Sequence, residues 1–272
     1  MNYEQTWLEY DTDIKAYDHK NEELKEILND REFFIFSEGV PTCFNDLKFN
    51  LERNNTILRC CGSMSRDYVA DYRKWWSTHL PAVSGGGFDP TIHPYLGFVS
   101  YHIPNIYEFS DFPGVAKKLP IKVCHAPTNT KKKSTTKINE ILDKLQKEFD
   151  FKKVVYNRKP WKESLKIKAS CHITIDQLKI GAYASSSIES MYMGHAVVSK
   201  ISPFIRSVHP DIPIVHATEE ILEDVLRDLL SDNDRIKSIG KKSHEYAVKE
   251  HSAKNNVVKW DYLIRWVNEG FK

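Results

Sequence analysis

Between Ile121 and Leu230, short β-branched apolar runs alternate with segments whose apolar residues recur every three or four positions. This alternation restricts the fold more than any other feature of the chain. Ile121 to Cys124, Phe151 to Tyr156, His172 to Ile175, Ala196 to Ser199 and Pro213 to His216 read as strands. Ile138, Ile141, Leu142, Leu145 and Phe149 share one face of a helix after the first strand. Pro160 to Ser170 and Thr218 to Leu230 predict further helices, with Thr218 as an N-cap. Strands that are separated by helices pair in parallel through crossovers. The expected fold is therefore α/β, a doubly wound parallel sheet with helices on both faces. Such sheets bind ligands at the carboxyl ends of their strands, so function is sought in the loops that follow them.

Two loops stand out. After the 121–124 strand comes HAPTNTKKKST, with Asn129, Thr130 and Lys131-Lys132-Lys133 just before a helix. Backbone N–H groups at a helix start, together with an ammonium, make a phosphate site, although three loop lysines taken alone are more often solvent-facing. No Walker glycines accompany them. After the 172–175 strand, Asp176-Gln177 leads to a lone Gly181 and then to a small-residue segment ending in Ser185, Ser186 and Ser187. A ligand could approach that backbone closely, facing the next helix N-terminus. Glu189 lies about one turn into this helix. It either complements the helix dipole, worth about 0.3–1 kcal/mol, or accepts hydrogen bonds from two neighbouring hydroxyls such as those of a ribose.

The N-terminal half is less regular. Residues 1–30 read as a peripheral extension, and their Asp11-Thr12-Asp13 as a solvated acidic turn rather than a metal site. Phe33 to Ser37 and Thr56 to Cys61 predict strands, and Arg66 to Trp76 has helical spacing. The block from Pro81 to Pro120 is rich in Gly, Pro, Tyr and His and reads as irregular, with Gly85-Gly86-Gly87 a loop. Residues 31–120 are thus expected to form a first domain and 121–255 a second. Residues 256–272 form a final helix, with Val257, Trp260, Leu263, Ile264 and Val267 on one side, that packs back on the body.

Composition narrows the functional classes. The net charge of +2 gives no global case for a polyanionic partner, although residues 131–168 hold thirteen bases against five acids. Five cysteines without Cys-x-x-Cys spacing suit free thiols in a reducing compartment. Scattered histidines with no His-Glu-x-x-His pair, and no Gly-x-Ser-x-Gly elbow, argue against a helical zinc site and a hydrolase triad. No run approaches a membrane span and the N-terminus is acidic, which gives the expectation of a cytoplasmic protein.

Taken together, these segments resemble the glycosyltransferases of the two-domain GT-B fold, in their retaining "group 1" type. HAPTNTKKKST looks like that family's His-Ala-Pro-Thr-Asn-Arg segment followed by Lys-Gly-Thr. IDQLKIGAYASSSIESMYMGHAVV looks like its Asp-Gln-Leu, Gly-x-Tyr-Gly, Glu-Ala-Met and Gly-x-Pro-Val-Val segments, and Ile103-Pro104-Asn105 like the Ile-Pro-Asn that closes its first domain. The resemblance implies two Rossmann-like domains facing a cleft, the first of them shortened. It implies that Lys133 contacts a donor diphosphate and Glu189 its ribose, with Gly181, Tyr183, Ser185 and Ser186 around the phosphate and sugar, and Asn129, Asp176 and Gln177 beside them. Gly62, Ser63 and Arg66 match a Gly-Ser-x-x-Arg turn that would face the cleft from the first domain. The donor would be a nucleotide sugar; the acceptor, a saccharide, lipid-linked molecule, protein or modified DNA base, is left open, as is any catalytic base. Neither cofactor nor metal is expected. The chain departs from the family pattern at Gly181, where a glutamate is usual, at Thr130 for arginine, at Ser134 for glycine and at His195 for proline.

Overall fold

A computed structural model describes residues 34–37, 56–60, 82–86 and 100–269. They fall into two compact units, one holding residues 106–255 and the other the first sheet together with residues 256–269.

The first sheet has four parallel strands in the order β1 (Phe34–Ser37), β2 (Thr56–Cys60), β3 (Ala82–Gly86) and β4 (Ser100–Pro104). β3 and β4 correct the expectation of an irregular block. Gly85 and Gly86, read as a loop, pair with Ile103 and Pro104 in the β3–β4 ladder, which a composition rich in glycine and proline concealed. Backbone hydrogen bonds hold such strands without a β-branched pattern to announce them. Ile57 and Ile103 are buried with Leu263 and Val267 of the C-terminal helix, so the face predicted for that helix is covered by this sheet.

The second sheet is also wholly parallel, in the order β6 (Phe151–Val155), β5 (Ile121–His125), β7 (Ile173–Ile175), β8 (Ala196–Ser199), β9 (Val215–His216). Its helices are α1 (Thr135–Leu145), α2 (Trp161–Lys168), α3 (Ser185–Tyr192), α4 (Pro203–Val208), α5 (Leu222–Leu230) and α6 (Asn233–His251), with α7 (Ala253–Asn268) carrying the chain on to the first sheet. α4 is an element the apolar pattern did not announce. It starts where the Ser202 side chain accepts a hydrogen bond from Ile205 N–H and a proline occupies its first turn. α5 begins at Leu222 rather than Thr218, whose carbonyl accepts the Leu222 N–H. Val123, Ile173, Ile175, Ala196 and Val198 form one core with Ile138, Leu142 and Leu145 of α1 and Leu222, Leu226 and Leu229 of α5. β7 and β8 are buried at every residue, the mark of a parallel sheet covered on both faces.

Two glycines fix where α6 sits. The turn between α3 and β8 has Gly194 at φ +70°, and the Gly194 carbonyl meets Gly240 of α6 so closely that a Cβ there would lie 2.1 Å from it. Only the lack of a side chain lets the two backbones touch.

Candidate functional site

The strand order places the site. From β5 the chain first crosses to β6 on one side and later to β7 on the other, so the loops after β5 and β7 diverge and open a crevice at a topological switch point. The two loops singled out in the sequence are these two.

The loop after β5 is a tight turn built by Asn129. Its side-chain Oδ1 accepts the Lys132 N–H at 2.9 Å, its carbonyl accepts the Lys133 N–H at 3.1 Å, and Ser134 adopts a left-handed conformation before α1 begins. Lys131 and Lys132 are left exposed, whereas Lys133 turns inward and its side chain is only 13% exposed. Its ammonium forms an ion pair with Asp176 Oδ1.

Asp176 follows β7 and its side chain is fully buried. Its Oδ2 accepts the Ser187 hydroxyl at 2.6 Å and the Ala184 N–H at 3.3 Å. Ala184 has no side chain with which to cap α3, so Asp176 does so from the beginning of the same loop. Burial pushes the Asp176 carboxyl up, but the Lys133 ammonium, the Ser187 hydroxyl and the Ala184 N–H together hold it below the usual carboxylate range. Asp176, expected beside the donor, is a buried link between Lys133 and the N-terminus of α3.

The rest of the loop is scaffold. Gln177 is buried; its Oε1 accepts the N–H groups of Lys179 and Ile180 at 3.2 and 2.7 Å, and its Nε2 donates to the Ala182 carbonyl. Gln177, expected beside the donor, satisfies backbone groups of this loop with its side chain. Gly181 has φ +88°, and a Cβ there would lie 3.2 Å from Ser202 Cβ. Both constraints oppose the glutamate usual in the resembled family. Tyr183 lies further along the same loop. Its ring is buried edge-on to His209 and His251, with its hydroxyl 3.3 Å from His251 Nε2, because the gain from burying an aromatic ring takes it into the core. Ser185 is exposed at the start of α3, and Ser186 accepts a hydrogen bond from Lys168 Nζ at 3.0 Å.

Glu189 has partners that its position in α3 did not announce. Oε2 is ion-paired with Lys168, and Oε1 accepts the Trp161 indole N–H at 3.0 Å. The side chains of Lys168 and Glu189 are 2% and 9% exposed. Trp161, Leu165 and Lys168 follow at steps of four and three, so both donors come from one face of α2. A lysine in register with an apolar face was the signal available in the sequence. His125, at the end of β5, was also missed as a positioning group. Its Nδ1 lies 2.8 Å from the Ile175 carbonyl and must carry the proton; Nε2, 2.9 Å from Thr135 Oγ1, accepts the hydroxyl. Burial first and Lys133 second lower its pKa against the opposing carbonyl, so the ring is a neutral clamp joining β5, β7 and the start of α1.

The structure thus brings Lys133, Asp176 and the start of α3 together, and separately engages Glu189. Gly62, Ser63 and Arg66 lie outside the described residues. Among the described residues no group of three His, Cys, Asp or Glu side chains is gathered as a ligand set, and no helix is long and apolar enough to cross a membrane.

Neither a family model nor a curated protein matches the sequence. The fold, however, matches solved structures. A glycosyltransferase from Rickettsia africae aligns over 93% of this chain and 84% of its own at TM-score 0.64 and 11% identity. Sucrose-phosphate synthase from Thermosynechococcus elongatus aligns over 84% and 70% at 0.58 and 10%. An α-glucosyltransferase solved with UDP and a 13-mer DNA containing a HMU base aligns over 91% and 84% at 0.59 and 10%. These neighbours are GT-B glycosyltransferases, and the fold of this chain is of that type.

Proposed function

We propose that the chain is a glycosyltransferase of the cytoplasm that moves a sugar from a nucleoside diphosphate to an acceptor hydroxyl, with retention at the anomeric carbon and without a metal ion. One observation carries the reading: Lys133, at the switch point, is tied through buried Asp176 to the N-terminus of α3. An ammonium has three protons. Asp176 takes one, leaving two for a diphosphate, and α3 adds about half a positive charge at its N-terminus. In transfer, the bond from the anomeric carbon to the diphosphate oxygen breaks, the acceptor oxygen bonds to that carbon, and the acceptor proton passes to the departing diphosphate. The charge that develops on the diphosphate is what Lys133 and the helix start stabilise. Glu189 retains one lone pair on each oxygen beyond its two partners, enough for the two ribose hydroxyls.

The test is thermal stabilisation by UDP, GDP, ADP, TDP and CDP, with and without a chelator, with UDP the first choice because the α-glucosyltransferase neighbour was solved with it. At a hundredfold excess over Kd, stabilisation of about 2.7 kcal/mol is expected, insensitive to chelator and lost in Lys133→Ala. No stabilisation by any nucleotide would overturn the reading. Binding with neither transfer nor donor hydrolysis would instead identify a non-catalytic nucleotide-sugar-binding protein, a reading favoured by Gly181 standing where a glutamate is usual.

Exposed Lys131, Lys132, Arg158, Lys159 and Lys162, all in or next to the loops after β5 and β6, favour a modified base in DNA as acceptor. Duplex binding that falls steeply with salt is the expected result, and salt-insensitive or absent binding refutes this acceptor.

A further inference from the structure

We infer that Lys168 and Trp161 are positioning residues that hold the Glu189 carboxylate in one orientation, so that the site selects a ribose over a 2′-deoxyribose nucleotide. The inference rests on the reading that Glu189 meets the ribose. Three observations support it. Each carboxylate oxygen has one donor from α2, the Lys168 ammonium on Oε2 and the Trp161 indole on Oε1, so the carboxylate plane is set from two directions. Lys168 also donates to Ser186 at 3.0 Å, which ties the same ammonium to the first turn of α3 beside the Asp176 cap. The ion pair is almost wholly buried, and a buried pair is a poor source of stability, because desolvation of both charges offsets their attraction. What such a pair does supply is fixed geometry. A carboxylate that must accept from two hydroxyls on adjacent ring carbons needs its plane set before the ligand arrives, or the ordering cost is taken from the binding energy.

Trp161 separates positioning from folding. It is half-buried, and its ring meets Phe112 edge-on with centroids 5.8 Å apart. A phenylalanine keeps an aromatic ring against Phe112 while removing the N–H, and the melting temperature reports any loss from its smaller ring. The experiment measures Kd for UDP and for 2′-deoxy-UDP by calorimetry in the unaltered protein, Trp161→Phe and Glu189→Gln, with melting temperatures alongside. The unaltered protein is expected to prefer UDP by about tenfold, the equivalent of one hydrogen bond near 1.4 kcal/mol. In Trp161→Phe the preference is expected to fall to about twofold or less, because UDP, which uses both hydroxyls, loses more affinity than 2′-deoxy-UDP, which keeps only the 3′ one. A purely structural role for Trp161 would weaken both ligands together and leave their ratio intact, and that result overturns the inference. If Glu189→Gln loses the preference but Trp161→Phe keeps it, the ribose reading stands and the positioning role falls. If the unaltered protein does not distinguish the two nucleotides, the ribose reading itself fails and takes the inference with it.

Discussion

Replacement of Asp176 by asparagine tests whether the site is held together as described. The side chain is fully buried and joins three donors: Lys133, the Ser187 hydroxyl and the Ala184 N–H. Asparagine keeps one acceptor oxygen and brings two N–H donors. It therefore satisfies at most part of the set and faces either the ammonium or the helix start with the wrong end. Losing one partner of a buried pair costs about 3–5 kcal/mol when the other charge is trapped. Lys133, at 13% exposure, can relax partly toward water, which puts the expected loss near the lower bound, about 3 kcal/mol. For a protein of this size that lowers the melting temperature by about 6–12 °C.

The pH dependence supplies the sign. The folded carboxyl titrates below its unfolded value of about 3.9. Its contribution is therefore fully present above that value and disappears as pH falls through the lower, folded one. Melting curves of the protein and of Asp176→Asn from pH 8 to pH 2 should stay separated down to about pH 4 and converge below it. A separation of less than about 1 kcal/mol at pH 7 would refute the account of Asp176 as the link between Lys133 and α3, since even one neutral hydrogen bond is worth that much.

Further outcomes follow from the same geometry. Gly181→Ala should destabilise the protein by about 1–2 kcal/mol, because it forces a Cβ into the left-handed region and toward Ser202; a neutral change in chemical denaturation would show that the loop can relax. Gly240→Ala should cost about 1–3 kcal/mol or more, since the new methyl meets the Gly194 carbonyl rather than a movable side chain, and an unchanged denaturation midpoint would contradict that contact. Lys168→Met alone should cost about 3–5 kcal/mol by stranding Glu189, whereas Lys168→Met with Glu189→Leu should recover most of it. Additive losses in this double-mutant cycle would show that the pair is not coupled.

The alternation between Ile121 and Leu230 was sufficient to read the second sheet, because fully buried parallel strands need apolar runs and their crossovers need amphipathic helices. It also placed Lys133 and Asp176 on loops that the strand order then brings to one crevice. The first sheet was legible only in part. β3 contains Ser84, Gly85 and Gly86, and β4 ends at Pro104, so neither carries the alternation that marks a strand; their pairing is a property of backbone groups that every residue shares. Trp161 and Lys168 escaped for a different reason. In a helix with Lys162 and Lys166 nearby, a lysine reads as part of a solvated face unless its register with Trp161 and Leu165 is weighed, and the packing of α2 on α3 shows that Lys168 is buried on that register.

Gly181 shows how a departure from a motif gains meaning from the backbone. Its φ of +88° and its carbonyl, which accepts the Ser202 N–H at 2.8 Å, tie the loop after β7 to the start of α4. A glutamate there would need another backbone path, and hence another arrangement of Gln177, whose side chain bonds the same loop at Lys179, Ile180 and Ala182. The substitution is therefore coupled to its neighbours, and restoring glutamate alone would not restore a contact to a donor sugar. Among the described residues, the proposed function would draw such a contact from the backbone at the start of α3, exposed Ser185, or the two protons Lys133 does not give to Asp176. On the proposed function, a donor would be held chiefly through its diphosphate and ribose. Nucleotide affinity should depend on Lys133 and Glu189, and little on which sugar the nucleotide carries.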